Sequence, residues 1–365
     1  MSRISALLLL ALVPCQADGW KRIEPGLALT FPRDHGSHPE FQTEWWYLTG
    51  HLEDDSGARF GFQFTVFRRG LESGASVEGS PLRASAVYAG HLALSDVARG
   101  ETRFAERLRR ASPLARAAEG ELDVQLEDWS LVREPASDTS GPGETEQLVL
   151  AAGDPARAFA FDFRLRPEKP LVLHGERGYS RKGADPLNAS AYVSWTRLAL
   201  EGSLHLDGSE RRVRGSAWYD HEFGTSVLAD GAVGWDWFSV QLADGRELMA
   251  FVLRDAAGAA LAASAGTLIE RDGSARALTR SDFQVTSSSK WTSPRTGAAY
   301  PSGWTLALPS AALELTLTPL VPDCELVSAT TSVTYWEGPV EVSGSATGRG
   351  YAELTGYRGS LAGRF

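Results

Sequence analysis

The chain has 365 residues, of which 43% are apolar, and its 46 acidic and 36 basic side chains give a formal net charge of -10. That acidic balance argues against nucleic acid or anionic lipid as the main partner, because both would be repelled. The only cysteines are Cys15 and Cys324, which excludes a disulfide framework and leaves buried apolar area to hold the fold.

Arg3 followed by the apolar run Ala6 to Val13, too short to span a bilayer, reads as an export signal over residues 1–17. Two processing routes stay open. Leu12-Val13-Pro14-Cys15 resembles a lipoprotein box that would acylate Cys15, whereas Cys15-Gln16-Ala17 offers cleavage after Ala17. Either way the mature chain is expected outside the cytoplasm, periplasmic and free or anchored through Cys15. No apolar run past residue 17 is long enough to cross a membrane.

Downstream, the two-residue period of strands dominates. Phe60, Phe62, Phe64 and Val66 alternate with Gly61, Gln63 and Thr65. The same alternation follows at Leu122-Val124-Leu126, Phe159 to Leu165, Leu204-Leu206, Leu248 to Leu253 and Leu313-Leu315-Leu317. Arg103 to Glu119, rich in Ala, Arg and Leu, predicts a helix or a long polar loop. Ser137 to Glu144 and Gly183 to Ala189 read as exposed loops.

One hairpin occurs twice. Trp45-Trp46-Tyr47-Leu48-Thr49-Gly50-His51-Leu52 with its following strand is echoed 190 positions later by Trp235-Asp236-Trp237-Phe238-Ser239-Val240-Gln241-Leu242 and Leu248 to Leu253. A repeat of that length is the size of a whole eight-stranded barrel, so the chain is expected to be all-β, with two tandem lipocalin-like barrels enclosing an apolar molecule. The expected domains are residues 18–222 and 223–365.

Two clusters carry possible chemistry. In Arg33-Asp34-His35-Gly36-Ser37-His38-Pro39-Glu40 the two histidines are three apart, but Gly36 and Pro39 forbid the helix that would aim both at a metal, so no metal is expected. Either His35, His38, Trp45 and Trp46 touch a ligand, or the aromatics Trp45 to Tyr47 plug the base of a barrel. In the second cluster, Trp218-Tyr219-Asp220-His221-Glu222, with Asp236 between Trp235 and Trp237, sets acids against apolar rings. Such a carboxyl stays protonated near neutrality and serves as a general acid, with His221 orienting it; alternatively an Asp-His pair ties the two barrels together. Ser180-Arg181-Lys182-Gly183 reads as an exposed basic turn, with the holding of a carboxylate or phosphate as the alternative. No nucleophile elbow, P-loop, dinucleotide fingerprint or zinc-helix motif occurs, and no cofactor is expected.

The stretch from Phe31 to Pro39, Glu44 to Tyr47, Gly178 to Gly183, Trp218 to Glu222, Gly234 to Trp237, Tyr335-Trp336-Glu337-Gly338 and Gly348 to Tyr351 together resemble the AttH and carotenoid 1,2-hydratase superfamily, often labelled secreted hydrolases. The resemblance implies two lipocalin-like domains and cofactor-free addition of water to an isolated double bond of an isoprenoid. It places Asp220, His221 and Asp236 as the working acids and imidazole, with Glu222 beside them and Trp218, Tyr219, Trp235 and Trp237 lining the substrate. The signal and barrel pattern leave an alternative open, a non-catalytic periplasmic carrier of a lipophilic ligand, and relatives of the exported branch appear beside transporter components.

Overall fold

The structure, a computed structural model, describes residues 19–73, 84–135, 146–225, 228 and 231–362. The expected export segment with Cys15 and the expected loop Ser137 to Glu144 lie outside the described residues.

Thirteen strands form the first sheet: β1 (Thr43–Asp54), β2 (Arg59–Gly70), β3 (Ala86–Asp96), β4 (Glu101–Arg110), β5 (Ala115–Ala117), β6 (Asp123–Leu126), β7 (Trp129–Glu134), β8 (Gln147–Asp154), β9 (Phe159–Pro167), β10 (Val172–Leu173), β11 (Tyr179–Arg181), β12 (Ala189–Leu206) and β13 (Ser209–Gly224). Ten form the second: β14 (Ala232–Leu242), β15 (Glu247–Asp255), β16 (Ala265–Ile269), β17 (Ala275–Thr279), β18 (Gln284–Thr292), β19 (Ala299–Leu308), β20 (Leu313–Pro319), β21 (Glu325–Val327), β22 (Thr334–Gly344) and β23 (Gly348–Leu354). The architecture is two tandem calycin-like barrels, one sheet nearly closed and the other a half-barrel. β13 runs to Gly224, so the change of sheet falls between Gly224 and Ala232, past the position 222 expected from sequence.

The topology explains the echoed hairpin. In the first sheet β1 lies between β2 and the final strand β13; in the second, β14 lies between β15 and the final strand β23. The two matching hairpins therefore occupy equivalent places in their sheets.

Arg103 to Glu119 is neither helix nor simple loop. It holds β4, paired with β3, and β5, paired with β6, so strand pairing outweighs the helical preference of Ala, Arg and Leu. Arg107 of β4 donates to the Gly153 carbonyl of β8 at 3.1 Å and covers the Trp129 ring of β7 at 4.4 Å, bridging the gap between the first edge strand and the far end of the sheet.

Strand alternation decides what each barrel contains. Trp46, Leu48, Phe62, Phe64, Leu150, Phe161 and Phe163 all point into the first sheet and close on one another, Phe62 meeting Phe163 at 5.2 Å between ring centres. The expected oily interior of the first barrel is therefore a packed core of side chains.

The two sheets meet along a seam. Cross-sheet bonds include His51 Nε2 with the Gly350 carbonyl at 2.7 Å, His91 Nδ1 with the Tyr335 hydroxyl at 2.7 Å, and the Gln241 amide donating to the Thr196 and Ala217 carbonyls. Gly61 is needed here: a Cβ on it would stand 2.6 Å from the Pro339 ring.

Candidate active site at the seam between the sheets

Successive side chains on a strand face opposite ways, so neighbours in the sequence part company here. On β1, Trp46 enters the first core while Trp45 and Tyr47 face the second sheet. The expected aromatic plug is thus split, one ring inward and two outward. On β13, Trp218, Asp220 and Glu222 face the seam; Tyr219 points into the first core and His221 stacks on Trp46 at 5.1 Å. His221 therefore cannot orient Asp220, as the sequence suggested. On β14 the same rule sends Trp235 and Trp237 to the seam and Asp236 to the opposite face.

The seam cavity has a volume of about 90 Å³ and is walled by Trp45, Phe67, Trp235, Trp237, Phe251 and Leu253. Into it come four carboxyls, Asp220 and Glu222 from the first sheet and Glu337 and Glu353 from the second, together with Lys182 and the hydroxyls of Tyr47, Tyr192 and Tyr335.

Asp220 is the best-supported of these groups. Tyr192 donates to its Oδ2 at 2.8 Å, Trp218 Nε1 to its Oδ1 at 2.6 Å, and the Ser194 hydroxyl also to Oδ1. Burial nevertheless pushes its carboxyl up to about 7, because desolvation of the anion and the nearby Glu222 outweigh those three donors. Behind it stands His174, which burial drives down to about 3 and so keeps neutral. Its Nε2 lies 2.7 Å from Ser194 Oγ and its Nδ1 2.8 Å from Thr267 Oγ1. Trp237 Nε1 donates to the Tyr192 hydroxyl at 3.0 Å, completing a network that fixes Asp220 in place.

Glu222 accepts from Ser190 and pairs with Lys182 Nζ at 2.9 Å. Lys182 was expected on an exposed turn. It is buried, with Nζ 4.2 Å from the centre of the Phe251 ring, because Asn188 and Lys182 close the turn by a backbone bond that folds the side chain inward.

Asp236 does not join this group. It pairs with Arg254 at 2.9 Å and accepts from Tyr357 at 3.0 Å on the far face of β14, and burial raises it to about 6 against both partners. Asp236→Asn is accordingly expected to leave the binding of an apolar fluorescent probe unchanged and to lower the denaturation midpoint, since Arg254 would be a buried cation without its partner, at a cost of about 3 kcal/mol. Weakened probe binding at unchanged stability would show that Asp236 belongs to the cavity after all.

The first histidine cluster forms a separate knot at the end of the first core. Glu44, fully buried, accepts from Arg68 Nε at 2.9 Å and Ser37 Oγ at 2.9 Å, and its Oε1 lies 3.0 Å from both His38 Nδ1 and His221 Nε2. Burial alone would raise Glu44, but His221, His38 and Arg68 hold it well below the usual carboxylate range. Burial also disfavours the His38 cation, yet Glu44 and Asp34 raise it. His35 stacks on Trp195 at 4.6 Å, and burial lowers it to about 3. The ligand atoms of His38, Glu44 and His221 lie within 4.8 Å of one another, a spacing that suits a metal. However, Glu44 already holds Arg68 as its counter-cation, so the charge is balanced without an ion.

The sequence analysis gave Glu44 and Glu337 no role beyond their place in motifs, and passed over Arg68, Tyr192, Ser194 and Glu353. The usable signal was an acid just after aromatics on an apolar strand, as in Tyr335-Trp336-Glu337 and Tyr351-Ala352-Glu353.

An AttH-like family model matches residues 22–357. The crystal structure of an AttH from Nitrosomonas europaea is 36% identical over 92% of this chain and 99% of its own, with a TM-score of 0.82. Kievitone hydratase from Nectria haematococca shares the fold at 15% identity and a TM-score of 0.68, covering 94% of this chain and 98% of its own. CghA, solved with Sch210972, does so at 16% identity and a TM-score of 0.51, over 88% and 90%. A search of curated proteins finds no match. Two calycin-like sheets, an aromatic seam and a sequence match along nearly the whole chain lead to one conclusion: this protein belongs to the AttH-like family.

Proposed function

We propose that the protein is a cofactor-free hydro-lyase, adding water to or removing it from a carbon-carbon double bond at the apolar end of an isoprenoid- or lipid-like substrate held in the seam. The observation that carries this reading is Asp220, fixed by three donors, poised near 7 and facing an aromatic-walled cavity. A carboxyl titrating near the working pH exchanges a proton with water or substrate in either direction, and indole faces steady a developing carbocation. That kievitone hydratase shares the fold supports the reaction class.

The cavity's size narrows the substrate. About 90 Å³ accommodates a short branched alkenyl end, while the rest of a longer molecule leaves past the half-buried Trp45 and Trp235. The export signal expected over residues 1–17 would place this work outside the cytoplasm, with anchoring through Cys15 as one route.

The test is incubation of the purified protein with acyclic isoprenoid alkenes and their tertiary alcohols in ¹⁸O-labelled water, read by mass spectrometry. Addition of one labelled water to the alkene, or label exchange into the alcohol, is expected. Ligands that bind and emerge unlabelled would overturn the catalytic reading and favour the carrier beside a transport system, which needs the aromatic walls and none of the acids.

A further inference from the structure

The two halves of the seam are related by the duplication, and the strand registers show which residues correspond. Tyr47 of β1 stands opposite Asp220 of β13; Trp237 of β14, its counterpart in the echoed hairpin, stands opposite Glu353 of β23. One strand further, Asp220 faces Ser194 of β12 and Glu353 faces Glu337 of β22. Glu353 thus occupies in the second sheet the place that Asp220 occupies in the first, and Glu337 the place of Ser194.

Both acids line the same cavity, so the duplicated carboxyls confront each other across it. We propose that Glu353 is the second working carboxyl of the seam, the counterpart of Asp220, with Glu337 as its positioning neighbour. This rests on the hydro-lyase reading and deepens it by assigning one acid-base group to each half of the chain.

The geometry around Glu353 suits a proton donor. Glu337 lies directly across from it on the neighbouring strand, where two ionised carboxyls would repel. Glu337 is buried, and its Oε1 has no hydrogen-bond partner among the described residues. Burial keeps Glu337 well above the ordinary carboxylate range, and burial together with Asp220 and Glu222 facing it from β13 raises Glu353 to about 7. The Trp235 indole hydrogen-bonds Glu353 and favours its anion once the proton has left. Lys182, paired with Glu222, and the hydroxyls of Tyr47, Tyr192 and Tyr335 complete the ionisable surroundings.

In the hydration direction the alkene π pair forms a C–H bond with the Glu353 proton, leaving a carboxylate on Glu353 and a cation at the more substituted carbon. Water then forms the C–O bond to that carbon and gives up a proton to Asp220. The net transfer of one proton from Glu353 to Asp220 is reversed through solvent water, and dehydration runs the same steps backwards.

The test needs no substrate. Infrared titration of the purified full chain is expected to show carboxyl groups deprotonating near pH 7, above the ordinary carboxylate range. One of them should be lost in Glu353→Gln and another in Asp220→Asn. A Glu353→Gln protein that titrates like the wild type near pH 7 overturns the assignment and leaves the hydro-lyase reading standing. On any substrate that the ¹⁸O experiment reveals, Glu353→Gln should lower kcat by roughly 100-fold or more, the contribution of a general acid, with KM nearly unchanged. Glu353→Asp, which keeps the acid, should recover part of that loss. Glu353→Gln turning over at the wild-type rate overturns the assignment equally.

Discussion

Glu44→Gln is expected to lower the stability of the protein by about 3–5 kcal/mol, the cost of leaving a buried charge without its partner. The substitution removes the anion that Arg68, His38 and His221 share, and Arg68 is itself almost completely buried. The pH dependence follows from the directions of the two shifts. Glu44 is depressed in the folded state, so its stabilisation is present above the ordinary glutamate value and is lost as pH falls through the folded value. His38 is raised, so its stabilisation is complete below the ordinary histidine value and disappears as pH rises through the folded one. Denaturant unfolding of wild type and variant should therefore differ most at mildly acidic pH, and equal midpoints there would show that the knot contributes nothing.

Asp220→Asn is expected to reduce turnover by roughly 100-fold or more while the protein remains folded, because it removes the proton acceptor and little of the packing. An amide keeps an oxygen for the Trp218 indole and Ser194, and the Tyr192 hydroxyl can turn to accept from the new NH₂. Stability gives a second readout. Asp220 rises from an ordinary 3.8 to about 7 on folding, so the folded state binds more protons between those values and the wild type loses stability as pH rises through them. The variant lacks that slope and gains on the wild type at neutral pH. A variant that keeps full turnover, or that shows the wild-type slope, would remove Asp220 from the site.

Both residues show how far the sequence could be read. Alternation at Phe60 to Val66 and Phe159 to Leu165 announced strands, and the Trp45 and Trp235 hairpins announced the duplication, because one-sided burial writes a period of two into the chain. The site was harder, since register and facing partners decide it. Asp220 and His221 are adjacent in the chain and for that reason point to opposite faces of the sheet. Asp236 sits between two seam tryptophans and is turned away from them by the same geometry. Glu353 becomes legible only when the registers are compared, because its partner in function lies on the other sheet. Lys182 was hidden by its setting among Ser180, Arg181 and Gly183, which on composition describe a solvated turn.

The position of the bound ligand decides between a working seam and a packed core. A crystal structure of the protein bound to a short isoprenoid alcohol tests this most directly. The molecule is expected in the seam against Trp45, Trp235 and Trp237, with its oxygen within hydrogen-bond reach of Asp220. An alcohol found inside either packed sheet, with the seam empty, would contradict it.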